Sequence, residues 1–94
     1  MAVYVDDAVH PWRGERWAHL LGDTLAELHA MAARLGIPRR AFQNKLSGAH
    51  YDVSAAQRAD AVRLGAIAIS RHTDRVLLKS LIATARAQAR GEHA

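Results

Sequence analysis

Cysteine is absent from the chain. Its absence excludes a disulfide scaffold, a thiolate nucleophile and a zinc site built from thiolates. Long apolar runs are also absent, and the opening segment MAVYVDDAVHPW carries two acids and no basic residue. Such a segment predicts neither a signal peptide nor a membrane-spanning helix. We therefore expect a cytoplasmic protein that does not use a membrane.

The chain has little material from which to build a core. Its 94 residues fit one domain, and a domain of that size hides only about 60–65% of the surface that its unfolded chain exposes. Half of the residues are apolar, but many of these are alanines, which bury little area. We expect a single domain over residues 1–94, with an α/β core at 1–70 and an amphipathic helix at 71–90.

Strands are predicted by short segments that alternate or are rich in β-branched residues. These segments are 2–5, 16–21, 50–53 and 66–69. Residues 10–14 contain proline and glycine and are predicted to form a loop, as are the polar residues 39–49.

Helices are predicted by two capping boxes, in which a side chain at the helix start and one three residues later bind each other's backbone N–H. Thr24-Leu25-Ala26-Glu27 opens a helix over 24–35, and Ser54-Ala55-Ala56-Gln57 opens one that ends at Leu64. A third helix is predicted to follow Ser70 or Thr73. The order β-β-α-β-α-β-α predicts a small fold of two or three layers, with a mostly parallel sheet of about four short strands and three helices.

A set of short motifs resembles a known family. They are Tyr4-Val5-Asp6, Trp17-Ala18-His19-Leu20, Asp23, Glu27-Leu28-His29, Leu35-Gly36, Phe42-Gln43, His50-Tyr51-Asp52 and Gly65-Ala66. In this order, over roughly residues 3–70, they resemble the domain-of-unknown-function family 4031 of small bacterial and phage proteins. The resemblance implies a bacterial or phage protein inside the cell. It brings no activity, so function has to be argued from the residues.

Histidine and aspartate side chains follow several of the predicted strands. In a parallel sheet, ligands bind outside the carboxyl ends of the strands, where we place Asp6, His19, His50 and Asp52 as candidate catalytic residues. Asp23 is expected nearby. His19, His50 and Asp52 are the candidate ligands of a divalent metal (Zn, Mn or Mg), with Asp6 or His10 as a further ligand. We predict that the imidazoles of His19 and His50 lie within about 8 Å of each other.

Two other interpretations of the same residues stay open. His50-Tyr51-Asp52 is also compatible with a structural hydrogen-bond network, in which Asp52 holds one tautomer of His50 or caps the next helix. Acid–base chemistry without a metal is the third interpretation. The sequence signal for a metal is weak, because neither H-E-x-x-H nor H-x-H spacing occurs. Asp7 is expected to serve a turn, and His29 lies on the face of its helix that also carries Leu25, so we expect a core histidine.

Basic and aromatic residues supply the predicted substrate contacts. Arg39, Arg40 and Lys45 are placed to neutralise an anionic ligand, although they are equally compatible with ordinary loop charges. Trp17 and Tyr51 complete the set as pocket walls. The resulting hypothesis is a metal-dependent hydrolase that acts on a phosphate-containing substrate; an enzyme without a metal and a binding domain remain alternatives.

The excess positive charge lies in the second half of the chain. Residues 1–53 carry equal numbers of basic and acidic side chains, so the net charge of +4 comes from residues 54–94. In the last predicted helix, Arg75, Lys79, Arg86 and Arg90 share one face. A solvated basic face is one interpretation, and a surface for nucleic acid is the other. A nucleic-acid-associated or regulatory binding module is therefore the alternative function, and a purely structural phage or host-interaction protein is a third.

The opposite face of the same predicted helix is unusually apolar. It carries Leu77, Leu78, Leu81 and Ile82 on two adjacent turns. This arc is wider than one packing contact requires, so we predict a homodimer formed through the C-terminal helix.

Overall fold

The computed structural model describes residues 2–7, 10–45, 48–70, 74, 76, 77, 79–81 and 83. In that part of the chain, six strands form one sheet. They are β1 (Val3–Val5), β2 (His10–Trp12), β3 (Glu15–Gly22), β4 (Gln43–Lys45), β5 (Gly48–Ser54) and β6 (Ile67–Ala68). Helix α1 (Leu25–Arg34) follows β3, and helix α2 (Ala55–Arg63) follows β5. The predicted α/β class is therefore confirmed.

The sheet is mixed, so the prediction of a mostly parallel sheet is wrong. The strand order is β4-β5-β3-β1-β6, with β2 paired to β3. Among the described strands only β1 and β6 pair in parallel, whereas β3 runs antiparallel to β1, β2 and β5. Antiparallel neighbours can be joined by a tight turn, whereas parallel neighbours need a long crossover. The prediction failed because it assigned loops to the residues that form β2 and β4.

Residues 10–14, which were predicted to be a loop, form one strand and the turn of a β-hairpin. Strand β2 pairs with β3, and Trp12 lies opposite Glu15. The two residues between them, Arg13 and Gly14, both have positive φ, at 51° and 76°. A two-residue turn with positive φ at both positions matches the right-handed twist of paired strands. The loop prediction therefore holds for Arg13 and Gly14, and it is wrong for His10–Trp12, which form a strand.

Both helices start where the predicted capping boxes placed them, with Thr24 and Ser54 as the N-caps. Thr24 accepts a hydrogen bond from the Glu27 backbone N–H at 3.2 Å, and its hydroxyl donates to the Glu27 carboxylate. Ser54 and Gln57 make the full reciprocal pair at the start of α2. Each helix ends just before a glycine of positive φ, Gly36 or Gly65. That conformation suits glycine, because it has no Cβ to clash.

The two faces of the sheet differ in polarity. Along β3, Ala18 and Leu20 are fully buried and belong to the main apolar core, to which α1 and α2 also contribute. Trp17 and His19 alternate with them and therefore lie on the other face, where both are only partly buried. The helices thus cover one face, and the histidine of the predicted site lies on the opposite one.

Tyr4 on β1 is coupled to the acidic residues that follow β3. Burial raises the pKa of its phenol above the ordinary value of 10.0, and the carboxylates of Asp23 and Glu27 raise the pKa further. Because folding favours the protonated phenol, its contribution to stability is present below pH 10.0 and is lost as the pH rises through the folded-state pKa.

We therefore expect Asp23→Asn to move the Tyr4 titration toward the ordinary pKa. Ultraviolet absorbance of the phenolate measures it, and Tyr4→Phe assigns the signal to this tyrosine rather than Tyr51. Asp60→Asn, on α2, is the matched control and should leave the titration unchanged. An unchanged titration in Asp23→Asn would contradict the coupling.

The end of the described chain is helical at residues 76, 77, 79–81 and 83. Leu81 is buried, with 4% of its surface exposed. Within the described part of the chain, every helix is too short or too polar to cross a bilayer.

Candidate functional site

The site is built on the register between β3 and β5. The two strands run antiparallel, and His19 pairs directly with Asp52. His50 precedes Asp52 by two positions and so lies on the same face of the sheet. The site therefore lies in the middle of two strands. The expectation that the site lies at the carboxyl ends of the strands is therefore corrected. Because β3 and β5 are antiparallel, their carboxyl ends lie at opposite edges of the sheet.

The two imidazoles meet, as predicted. The rings of His19 and His50 have centroids 4.5 Å apart and cross at 76°. His50 Nε2 lies 3.3 Å from Asp52 Oδ1, and His19 Nε2 lies 3.8 Å from the same oxygen. One ligand atom from each of the three residues lies within 4.8 Å of the other two. The arrangement has the donor types and the spacing of a site for a divalent cation.

Asp6 contacts His19 on the side of the ring away from His50 and Asp52, through both the backbone N–H and Nδ1 of His19. Its side chain is fully buried, and Oδ1 accepts the His19 backbone N–H at 2.6 Å. Its other oxygen, Oδ2, lies 2.8 Å from His19 Nδ1. A carboxylate can only accept here, so it favours the tautomer with hydrogen on Nδ1. That tautomer leaves a lone pair on Nε2, which faces His50 and Asp52. Asp6 thus acts on the group through His19.

A glutamine on the edge strand holds the third member of the group. Gln43 on β4 pairs with His50 in the register, and its amide nitrogen donates to Asp52 Oδ2. The other oxygen, Oδ1, is the one nearest both imidazoles. Gln43 was missed as a site residue because its segment was predicted to be a loop. The signal available was its place in the Phe42-Gln43 motif.

An open pocket of about 360 Å³ adjoins the group. Asp52 and Gln43 form part of its lining, so the pocket and the candidate cation site share a wall. The lining is otherwise mostly apolar and comprises Trp17, Gly36, Ile37, Pro38, Ala41 and Gln57. Its volume lies in the range of small-molecule sites, roughly 300–1,000 Å³.

Two residues predicted for the site lie away from it. Asp23 accepts the Ala2 backbone N–H at 2.8 Å and so ties down the start of β1. Tyr51 faces the core with 1% of its surface exposed, and its hydroxyl bonds His29 Nδ1 at 2.7 Å. Alternation along β5 turns Tyr51 away from His50 and Asp52, so the structure does not bring it together with them, and its substrate contact stays a prediction. The expectation that His29 is a core histidine agrees with this contact.

The predicted basic contacts have mixed positions. Arg39 and Arg40 are exposed on a 3₁₀ turn, Arg39–Ala41, between the pocket residues Pro38 and Ala41. Lys45 ends β4. His10 lies opposite Trp17 in the β2–β3 register, two residues from His19. Arg58 on α2 was not anticipated, and its Nε donates to the Asp6 backbone carbonyl at 2.7 Å, which fastens the end of β1.

The hypotheses of a dimer and of a nucleic-acid surface at the C-terminal helix depend mainly on residues that the structure does not describe. Arg75, Arg86 and Arg90 of the basic face lie outside the described residues, and Lys79 is exposed. Of the predicted dimer contacts, Leu78 and Ile82 lie outside them too. Leu81 is buried within the chain, and Leu77 is 37% exposed. Dimerisation and nucleic-acid binding stay predictions.

Comparison with known proteins agrees with the resemblance seen in the motifs. A family model described as "Protein of unknown function (DUF4031)" matches residues 3–81. No curated protein and no solved structure gives a significant match. Because the family match covers most of the chain, this protein belongs to the DUF4031 family.

Proposed function

We propose that the protein is a metal-dependent hydrolase that binds one divalent cation between His19, His50 and Asp52. The observation that carries the proposal is the convergence of three ligand atoms within 4.8 Å from two neighbouring strands. Two imidazoles and a carboxylate suit Zn²⁺ or Mn²⁺ better than Mg²⁺, which prefers oxygen ligands.

The buried Asp6–His19 pair supports this proposal more specifically than proximity does. Histidines that bind metals nearly always donate their second ring N–H to a carboxylate or carbonyl, which orients the ring and fixes its tautomer. Asp6 has this relation to His19, and Gln43 orients Asp52 in a similar way. A solvated surface cluster would not require a carboxylate that is 0% exposed behind one of its histidines.

The chemistry follows from a three-ligand site. Three protein ligands leave a coordination position for water, and bound Zn²⁺ lowers the pKa of that water to about 7. A cation held by His19, His50 and Asp52 would supply this water as the nucleophile for the phosphorus of a phosphate ester. The bond from phosphorus to the alcohol oxygen breaks, and the departing alkoxide takes a proton from solvent. The products are the free alcohol and phosphate.

A phosphate-containing substrate is favoured by the charges beside the pocket. Arg39 and Arg40 stand on the turn between two pocket residues, where exposed guanidinium groups can bind phosphate oxygens in pairs. The pocket itself takes the organic part of the substrate.

Metal uptake tests the proposal. The purified chain is stripped with a chelator and titrated calorimetrically with Zn²⁺, Mn²⁺ and Mg²⁺, and bound metal is counted by elemental analysis. We expect one Zn²⁺ or Mn²⁺ per chain, and hydrolysis of p-nitrophenyl phosphate only by the loaded protein. Asp52→Ala and His50→Ala should abolish uptake.

Asp60→Ala is the matched control, because Asp60 is a partly exposed carboxylate on α2 that pairs with Arg63. It should bind metal as the wild type does. Equal uptake by Asp52→Ala and Asp60→Ala would refute the site. If no cation binds at all, the contacts would serve only the hydrogen-bond network that the sequence also allows.

A further inference from the structure

Two glutamine side chains in the pocket have orientations that are fixed by their neighbours. Both Gln43 and Gln57 line it. An amide oxygen and nitrogen are usually hard to tell apart, so the hydrogen-bond partners have to decide which is which. Here the partners decide both cases.

Gln57 is left with a donor for a ligand. Its Oε1 accepts the Ser54 backbone N–H at 2.9 Å as part of the capping box. A backbone N–H can only donate, so the atom that accepts from it has to be the oxygen. The NH₂ group of Gln57 is then the group that remains for the pocket.

Gln43 is left with an acceptor. Its NH₂ group donates to the carboxylate of Asp52, which as an anion only accepts. The Gln43 carbonyl oxygen is then the atom that can accept from a ligand. The pocket therefore offers one donor and one acceptor beside the wall formed by Trp17, Ile37 and Pro38.

A nucleobase has the complementary chemistry. It is a flat ring with a π face for an indole, and its edge carries both acceptors and donors for amide groups. Arg39 and Arg40 lie on the turn between two lining residues of the pocket. Their guanidinium groups would be available to the sugar phosphate attached to such a base. A simple sugar phosphate offers no flat face, and an apolar ester offers no hydrogen-bonding edge.

From these contacts we infer that the pocket binds the base of a nucleotide, with Trp17 against the ring and Gln43 and Gln57 on its edge. This inference rests on the proposed function, since it names the class of substrate whose phosphate ester is hydrolysed at the adjacent site. It also makes Gln57 a specificity-determining residue that contacts neither metal nor phosphate.

Calorimetry with three probes tests the inference on the Zn²⁺-loaded protein. The probes are a nucleoside 5′-monophosphate, ribose 5-phosphate, which lacks the base, and the nucleoside, which lacks the phosphate. We expect the nucleotide to bind at least about tenfold more tightly than ribose 5-phosphate, since a good base contact is worth that factor. All four common bases are compared. Equal affinity for nucleotide and ribose 5-phosphate would overturn the inference.

Gln57→Glu is the decisive variant. Glutamate keeps the oxygen that the capping box needs and removes the NH₂ donor, so α2 should remain intact. We expect nucleoside affinity to fall about tenfold while Zn²⁺ uptake stays at one per chain. The nucleoside carries no phosphate, so the added negative charge does not explain a loss of its binding. Trp17→Leu should weaken nucleoside binding as well.

The outcomes separate this inference from the proposed function. If Zn²⁺ binds and phosphate esters are cleaved but Gln57→Glu leaves nucleoside binding unchanged, the inference is wrong and the hydrolase stands. If no metal binds but the nucleoside binds the metal-free wild type and not Gln57→Glu, the proposed function is wrong and the pocket assignment stands.

Discussion

Asp6→Asn is expected to lower the affinity of the protein for Zn²⁺ by about 10–100-fold, the range seen when a carboxylate behind a ligating histidine is lost. The reason is the tautomer of His19. In the variant the asparagine oxygen still accepts the His19 backbone N–H, so its NH₂ group takes the position that faces Nδ1. An NH₂ group requires a lone pair on Nδ1, and the ring hydrogen then moves to Nε2, where it blocks the metal.

This substitution is preferable to Asp6→Ala because it keeps both hydrogen bonds. Alanine would leave the His19 backbone N–H without its carboxylate partner, at a cost of about 1–3 kcal/mol in folding free energy. Asparagine has nearly the same volume and keeps both contacts. It still accepts the His19 backbone N–H, but it donates to Nδ1 where the carboxylate accepted from it. The expected loss of affinity is therefore a direct effect on the ligand atom, and urea unfolding should show that the variant remains folded.

The measurement is a Zn²⁺ titration of Asp6→Asn beside Asp7→Asn. Asp7 is the next residue and is partly buried, and its Oδ2 lies 3.4 Å from the Ser70 hydroxyl. Asp7→Asn removes the same charge from the neighbouring position. A general electrostatic effect should therefore lower the Zn²⁺ affinity of both variants equally. Wild-type affinity in Asp6→Asn would show that the buried carboxylate does not set the tautomer that binds.

Leu28→Ala is expected to destabilise the fold by about 2–5 kcal/mol, the usual cost of truncating a buried leucine. Leu28 is 0% exposed and lies in the main core cluster. The helix approaches the end of β3 closely there. A Cβ placed on Gly22 would lie 3.2 Å from Leu28 Cβ and 2.9 Å from the Thr24 backbone oxygen. The close contact leaves little freedom for α1 to move in and fill a cavity.

Urea unfolding measures this difference, with Leu64→Ala as the control. Leu64 follows α2, and 37% of its surface is exposed, so its truncation should cost less than about 1 kcal/mol. In a small domain with a total stability of about 5–15 kcal/mol, the larger loss is a substantial fraction. Similar costs for the two variants would mean that the core is less tightly packed around Leu28 than the structure indicates.

The helices were predicted well because their signals are local. Thr24 and Ser54 each act on a residue three positions later, and Gly36 and Gly65 end the helices through their own φ angles. These effects involve neighbours in the sequence and hold whatever the rest of the fold does. The failure at β2 and β4 has the opposite cause, since three-residue strands carry little pattern and are stabilised by the partner strand.

The candidate site was predicted in composition but not in position. His50 and Asp52 share a face because of the two-residue repeat of a strand, which is a property of sequence alone. That His19 lies opposite Asp52 depends on the register between β3 and β5, which the burial of Ala18, Leu20 and Val53 on the other face selects. A shift of one residue would turn these apolar side chains toward solvent.

The sequence by itself thus determined the residue types of the candidate site, the starts and ends of both helices, and the membership of the family. Tertiary structure alone decided that β3 is antiparallel to β1 and β5, that Asp6 lies behind His19, and that Gln43 orients Asp52. The physical reason is range. Caps and alternation act over two to four residues, whereas these contacts join residues 9 or 13 positions apart, and which of many such pairs meet depends on burial summed over the whole sheet.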